Sequence, residues 1–174
     1  MTAETGRAFV PFLRKNVMAA HALVVAWAAQ PIHRGADRQD LAGETLKGHL
    51  KELSVVLVGD RRMSALHEEF MDMKGPTDVL TFPLEADALG RAISGEVILC
   101  VPEALRQARS RRILPRLELL LYAVHGMLHL LGYDDTTDRA FRTMHHTEDS
   151  IMTELGFGPV FSARVASPQR GGNQ

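Results

Sequence analysis

Residues 114–132 read LPRLELLLYAVHGMLHLLG, and no other stretch of the chain constrains its architecture as strongly. Pro115 suits the first turn of a helix, where its missing N–H costs nothing, and Gly132 suits a stop just past the last turn. Between them stand almost only Leu, Val, Ala and Met. A helix over Leu114–Leu131 is therefore apolar nearly all round and is expected to be central and buried. Against that background Glu118, Tyr122, His125 and His129 fall on one face, at roughly 100° of rotation per residue. A buried polar stripe needs partners.

Working outward, Leu53–Val58 is a compact β-branched run closed by Gly59-Asp60 and predicts a strand. Leu66 and Phe70, one turn apart, place a short helix over Met63–Phe70. Thr77–Phe82 predicts a second strand, and Pro76 and Pro83 on its flanks put it at a sheet edge. Ile93–Cys100 is a third strand, and Pro102 opens a helix to Arg111. An amphipathic helix runs over Asp138–Leu155 until Gly156 stops it. Near the start, a short strand is expected at Phe9–Leu13. The loop 30–44 reads as a surface insertion and 161–174 as a disordered tail, leaving residues 1–160 as one domain.

Composition bounds the function. The 174 residues are 45% hydrophobic and 24% charged, an ordinary globular composition. Twenty basic against 21 acidic residues give a net charge of −1, which excludes a generally basic nucleic-acid coat protein. The average hides a local bias: Arg106, Arg109, Arg111, Arg112 and Arg116 fall within eleven residues that hold no acid. Such a run is a solvated face or a phosphate contact. The single cysteine, Cys100, excludes an internal disulfide and a Cys-based zinc cage, so any metal must be held by imidazole and carboxylate. The apolar run Val17–Ala29 is too short to span a bilayer as a helix. It follows Arg14 and Lys15 as a signal peptide would, but Pro11 and the polar residues before it favour a buried N-terminal helix and a cytoplasmic protein without membrane association.

His125 and His129 lie one turn apart on one face. They are either core histidines bonded to backbone or carboxylate, or two ligands of one metal ion. The second reading has a physical rationale, because two imidazoles on successive turns aim at one locus and zinc takes them at about 2.0–2.1 Å. Gly132 lets the chain reverse, which brings Asp134 and Asp135 within reach as a third ligand. Two His and one carboxylate leave an open position, the arrangement of a catalytic zinc, which lowers the pKa of a bound water to about 7. In the H-E-x-x-H motif of metalloproteases the residue after the first His is the general base; here it is Gly126, which speaks against a protease. A glycine there permits close approach of substrate or backbone.

The stretch His125-Gly126-Met127-Leu128-His129-Leu130-Leu131-Gly132-Tyr133-Asp134 closely resembles the signature of the YbeY family, metal-dependent single-strand endoribonucleases of rRNA maturation. Pro76-Thr77-Asp78-Val79-Leu80-Thr81-Phe82-Pro83 resembles the family's strand segment, and Gly95-Glu96-Val97-Ile98, Glu118, Met144 and Glu148 are weaker matches. The resemblance covers roughly residues 50–157. It implies a zincin-like α+β domain, a small mixed sheet of about four strands surrounded by helices. It also implies a zinc site of His125, His129 and a residue after the Gly-Tyr-Asp turn. The family has a third His where this chain has Asp135, a competent ligand that alters the charge of the site; the competing outcome is loss of the site. His145 or His146 can substitute only if the last helix folds back.

A second departure is Met71, which stands where the family carries a phosphate-engaging Arg; His67 likewise replaces an Asn. Arg106, Arg109, Arg111, Arg112 and Arg116, with Lys74, are the candidate replacements for contact with RNA phosphates. Asp134 is expected to orient a ligand, and Glu118 to do the same or to move protons, or else to act as a helix N-terminal carboxylate. The expected activity is zinc-dependent cleavage of single-stranded RNA, an rRNA precursor at the ribosome. Two rivals remain: an RNA- or protein-binding factor with a structural metal and no turnover, and a metallohydrolase of a different small substrate.

Overall fold

A computed structural model describes residues 7–29 and 50–162. Within them the order is α1 (Val10–Ala29), β1 (Glu52–Val58), α2 (Asp60–Met71), β2 (Val79–Ala86), β3 (Ala92–Cys100), α3 (Val101–Arg111), α4 (Pro115–Leu130) and α5 (Asp138–Glu154). The α+β class and the mixed sheet are as expected. The strand count is corrected: the described residues form three strands in the order β1-β3-β2, not about four, a smaller sheet than the zincin-like expectation.

The alternation of β3 explains the layering. Val97 and Leu99 point to one side and Ile98 and Cys100 to the other, and all four are buried. Ile98 and Cys100 pack with Met63, Leu66 and Leu80, so α2 covers one face of the sheet. Val97 and Leu99 join the larger core built on α4, which covers the other. Buried on both faces, β3 is the central strand. It pairs parallel with β1 (Val55 opposite Val97) and antiparallel with β2 (Thr81 opposite Val97). Pro83 falls within β2, tolerated because β2 is an edge. Cys100 is a core thiol, its pKa pushed up to about 11 chiefly by burial.

The strand expected at Phe9–Leu13 is helix instead. Pro11 lies in the first turn of α1, where it needs no N–H, and the Leu13 amide donates to the Phe9 carbonyl at 2.9 Å. Leu13, Ala20 and Val24 recur on one face and are buried in the α4 core. Among the described residues no helix is long and apolar enough to cross a membrane. The 30–44 insertion and nearly all of the 161–174 tail lie outside the described residues.

Every residue of α4 from Glu118 to Leu130 is buried except the two histidines, which are partly exposed. Gly126 explains how closely the helix sits on the sheet. A Cβ there would lie 2.7 Å from Val97 Cγ1 and 2.9 Å from Thr81 Cγ2. Of the two alternatives, substrate or backbone, it is the strands that approach closely here.

Candidate metal centre

The C-terminal turn of α4 closes by backbone bonds from Gly132 to the His129 carbonyl and from Tyr133 to the Leu128 carbonyl, with Gly132 at φ 84°. A left-handed residue at that point reverses the chain and favours glycine. The reversal does two things. It places the Tyr133 carbonyl 3.0 Å from His129 Nδ1, and it returns Asp135 to the exposed side of the histidine pair.

His125 is oriented from another direction. The α5 helix, capped by Thr137 accepting from the Ala140 amide, packs on α4 and buries Glu148 at 1% exposure. Glu148 Oε1 lies 2.6 Å from His125 Nδ1 and its Oε2 lies 2.7 Å from His145 Nδ1. Both α4 histidines thus have Nδ1 opposite an acceptor, which places the ring proton there and leaves the Nε2 lone pairs exposed. Those two Nε2 atoms are 3.0 Å apart, and Asp135 Oδ2 lies 3.9 Å from His125 Nε2.

This donor set fits a metal ion. Two ligands at about 2.0–2.1 Å from a tetrahedral ion lie about 3.3 Å from each other, which falls between the two observed separations. Two imidazole lone pairs facing at 3.0 Å repel unless a cation or a proton lies between them. The ligand atoms of His125, His129 and Asp135 all fall within 4.8 Å of one another. A second group within that limit, His125, His145 and Glu148, is already joined by hydrogen bonds, and its His145 and Glu148 are buried, so it serves as support.

The electrostatics separate the two rings. Burial opposes the charged form of His125, but the hydrogen bond and charge of Glu148 outweigh it and hold its pKa above the ordinary value. Burial also opposes charge on His129; repulsion from His125 adds to this, so its pKa falls. Glu148 is pulled below the carboxylate range because its bonds to His125 and His145 overcome the cost of burial.

The remaining sequence-predicted residues are spread more widely. Asp134 is exposed, and its carboxylate accepts from the Asp135 and Thr136 amides and the Thr136 hydroxyl, which shapes the loop carrying Asp135. Glu118, fully buried, accepts from Arg111 Nη1 at 3.1 Å. Arg106 is held by Asp60 and Glu103, and Arg116 lies over the Phe12 ring at 5.3 Å. Arg109, Arg112 and Lys74 are exposed, as is Met71; His67 Nδ1 lies 2.9 Å from the Gly75 carbonyl and anchors the loop that holds Lys74. Of the five arginines, Arg106, Arg111 and Arg116 therefore have protein partners of their own.

Glu148 and His145 are functional candidates that local reading does not assign. The last helix does fold back, yet His145 meets Glu148, while His146 is exposed. The available signal is a carboxylate three residues after a histidine on the inward face of an amphipathic helix. Phe161 stacks on His145 at 3.6 Å, and its amide donates to the Asp149 carboxylate, tying the segment after α5 to this support.

A family profile described as endoribonuclease YbeY matches residues 16–156, most of the chain. The chain belongs to the YbeY family. Relatives named endoribonuclease YbeY include one from Acidothermus cellulolyticus, 42% identical over 115 residues that span 60% of this chain and 70% of that protein. Another, from Micrococcus luteus, is 39% identical over 110 residues, again 60% of this chain and 70% of that protein. The solution structure of TM1509 from Thermotoga maritima aligns at 22% identity with a TM-score of 0.49, over 94% of this chain and 93% of that one. The residues shared with the YbeY signature are those that the structure gathers at the end of α4. Family membership makes the chain one of the endoribonucleases, hydrolases that cut RNA internally.

Proposed function

We propose that this chain is a zinc-dependent endoribonuclease that cleaves single-stranded RNA, with His125, His129 and Asp135 as the ligands of one ion. The observation that carries the reading is the pair of Nε2 atoms 3.0 Å apart, each ring fixed through Nδ1 by an acceptor. When bound, zinc supplies Lewis acidity at a phosphate oxygen and lowers the pKa of a coordinated water. The protein's own residues supply orientation. Glu148 and the Tyr133 carbonyl fix the two ring tautomers, and Asp134 shapes the loop that brings in Asp135. Glu118 acts at a distance, by holding Arg111.

Substrate contacts follow from what remains exposed. Lys74, Arg109 and Arg112 can meet RNA phosphates, whereas Arg106 and Arg116 have protein partners to leave first. An rRNA precursor as substrate, the ribosome as partner, the cytoplasm as compartment, and residues 1–160 as one catalytic domain are part of the same reading. They rest on the family resemblance.

Metal analysis combined with cleavage of a single-stranded RNA tests it. The purified protein is expected to carry about one ion per chain. His129→Ala is expected to lose that ion and to cut more than about 100-fold more slowly, since even an outer partner of a ligand is worth about 10–100-fold. A metal-free protein, or a variant that cuts at the wild-type rate, would overturn the assignment. Tight RNA binding without cleavage would instead establish a binding factor.

A further inference from the structure

A polar pocket of about 280 Å³ lies one turn back along α4 from the histidine pair. Pro76, Thr77 and Asp78 form one wall, ahead of β2; Glu103, Gln107 and Arg111 of α3 form another, and Tyr122 reaches it from α4. Tyr122 precedes His125 by three residues, about 4.5 Å along the helix axis. We propose that this pocket seats a guanine base of the RNA strand, on the nucleotide next to the one cut at the metal centre. The inference rests on the endoribonuclease reading and adds base selection to it.

Three of the pocket's polar groups are held in place with capacity to spare. Asp78 Oδ1 accepts from the Thr77 hydroxyl at 3.1 Å and the Val79 amide at 2.9 Å, which leaves Oδ2 to a ligand. Gln107 Nε2 donates to Glu103 Oε1 at 2.6 Å, which leaves the amide oxygen as an acceptor. Arg111 spends Nη1 on buried Glu118, and a guanidinium has five N–H donors. The walls thus offer two fixed acceptors and one fixed donor group.

Charge decides against a phosphate. Glu118 already compensates Arg111, and an anion in the pocket would face the carboxylates of Asp78 and Glu103. A neutral ligand rich in N–H groups is favoured. Among the RNA bases, guanine alone shows an amino group, a ring N–H and a carbonyl on one edge. Its two donor groups match Asp78 and Gln107, and Arg pairs well with guanine's acceptor atoms. That edge is accessible only in unpaired RNA, so the pocket would also favour single strands.

The test uses the full chain with its native metal and fluorescein-labelled octauridylates that carry one central guanosine, inosine, adenosine or cytidine. Binding is read by anisotropy and cleavage on gels. The guanosine strand is expected to bind about tenfold more tightly than the others and to be cut beside the guanosine. Inosine, which lacks only the 2-amino group, should lose most of that preference, and Asp78→Asn and Gln107→Leu should flatten it. Cleavage that ignores the central base would overturn the pocket and leave the endoribonuclease reading intact. Guanosine-selective binding without cleavage would keep the pocket and overturn that reading; neither selectivity nor cleavage would overturn both.

Discussion

Two buried glutamates solve the same problem in different ways. Glu118 on α4 is 0% exposed and Glu148 on α5 is 1% exposed, so each must find partners within the protein. Glu118 meets Arg111, whose charge is permanent and whose geometry ends at the guanidinium. Glu148 meets His125 and His145, rings whose second nitrogen remains available for other work. A carboxylate bound to arginine compensates a charge. A carboxylate bound to imidazole also decides which way a lone pair faces, and at His125 that lone pair faces His129 Nε2 across the candidate metal centre.

The comparison is sharpened most by Glu148→Gln. An amide can turn either oxygen or nitrogen to the ring, so the tautomer of His125 is no longer enforced. Metal affinity, measured by competition with a chelating dye, is expected to fall about 10–100-fold. An unchanged affinity would place Glu148 in the same class as Glu118. Next in size is Glu118→Gln, which leaves Arg111 without its buried counter-charge. Chemical denaturation should show a loss of about 1–3 kcal/mol, while metal affinity stays within about twofold. A larger change in metal affinity would break the distinction from the other side.

The smallest effect is expected where the same carboxylate–arginine pairing is exposed. Asp60 and Arg106, 2.7 Å apart, have side chains 44% and 48% exposed, and such pairs are worth less than about 1 kcal/mol. The Arg106 hydrogen bond holds the Asp60 carboxyl below its ordinary 3.8. A depressed folded-state pKa gives a contribution that is complete above pH 3.8 and is lost as pH falls through the lower folded value. Asp60→Asn should therefore flatten the stability curve only at acid pH. A difference in slope between wild type and variant above pH 5 would contradict this.

What could be read from the chain depended on how far apart the interacting residues lie. The helix 115–130, its two histidines and the turn that returns Asp135 are local features, set by a period, a proline and a glycine. The strand Ile93–Cys100 was legible locally, but its cover by helices on both faces was not. The contact of Glu148 with His125 joins positions 23 residues apart on different helices, and no periodicity announces it. The partners of the arginine segment were hidden for a related reason. Asp60 meets Arg106 and Phe12 lies under Arg116, and they come from α2 and α1, far from the segment in sequence. The Phe9–Leu13 segment went wrong because a proline in a first turn looks, in isolation, like a break in a strand.

Gly126 bears on which chemistries this scaffold can acquire. The position after the first histidine is where a metallopeptidase keeps its general base, yet here its side-chain direction leads between Val97 and Thr81. A glutamate substituted at that point would enter the packed seam between helix and sheet, away from the paired histidine Nε2 atoms. Peptidase activity is thus out of reach of a single exchange. Gaining it would first require the helix to rotate or lift away from the strands on which it rests.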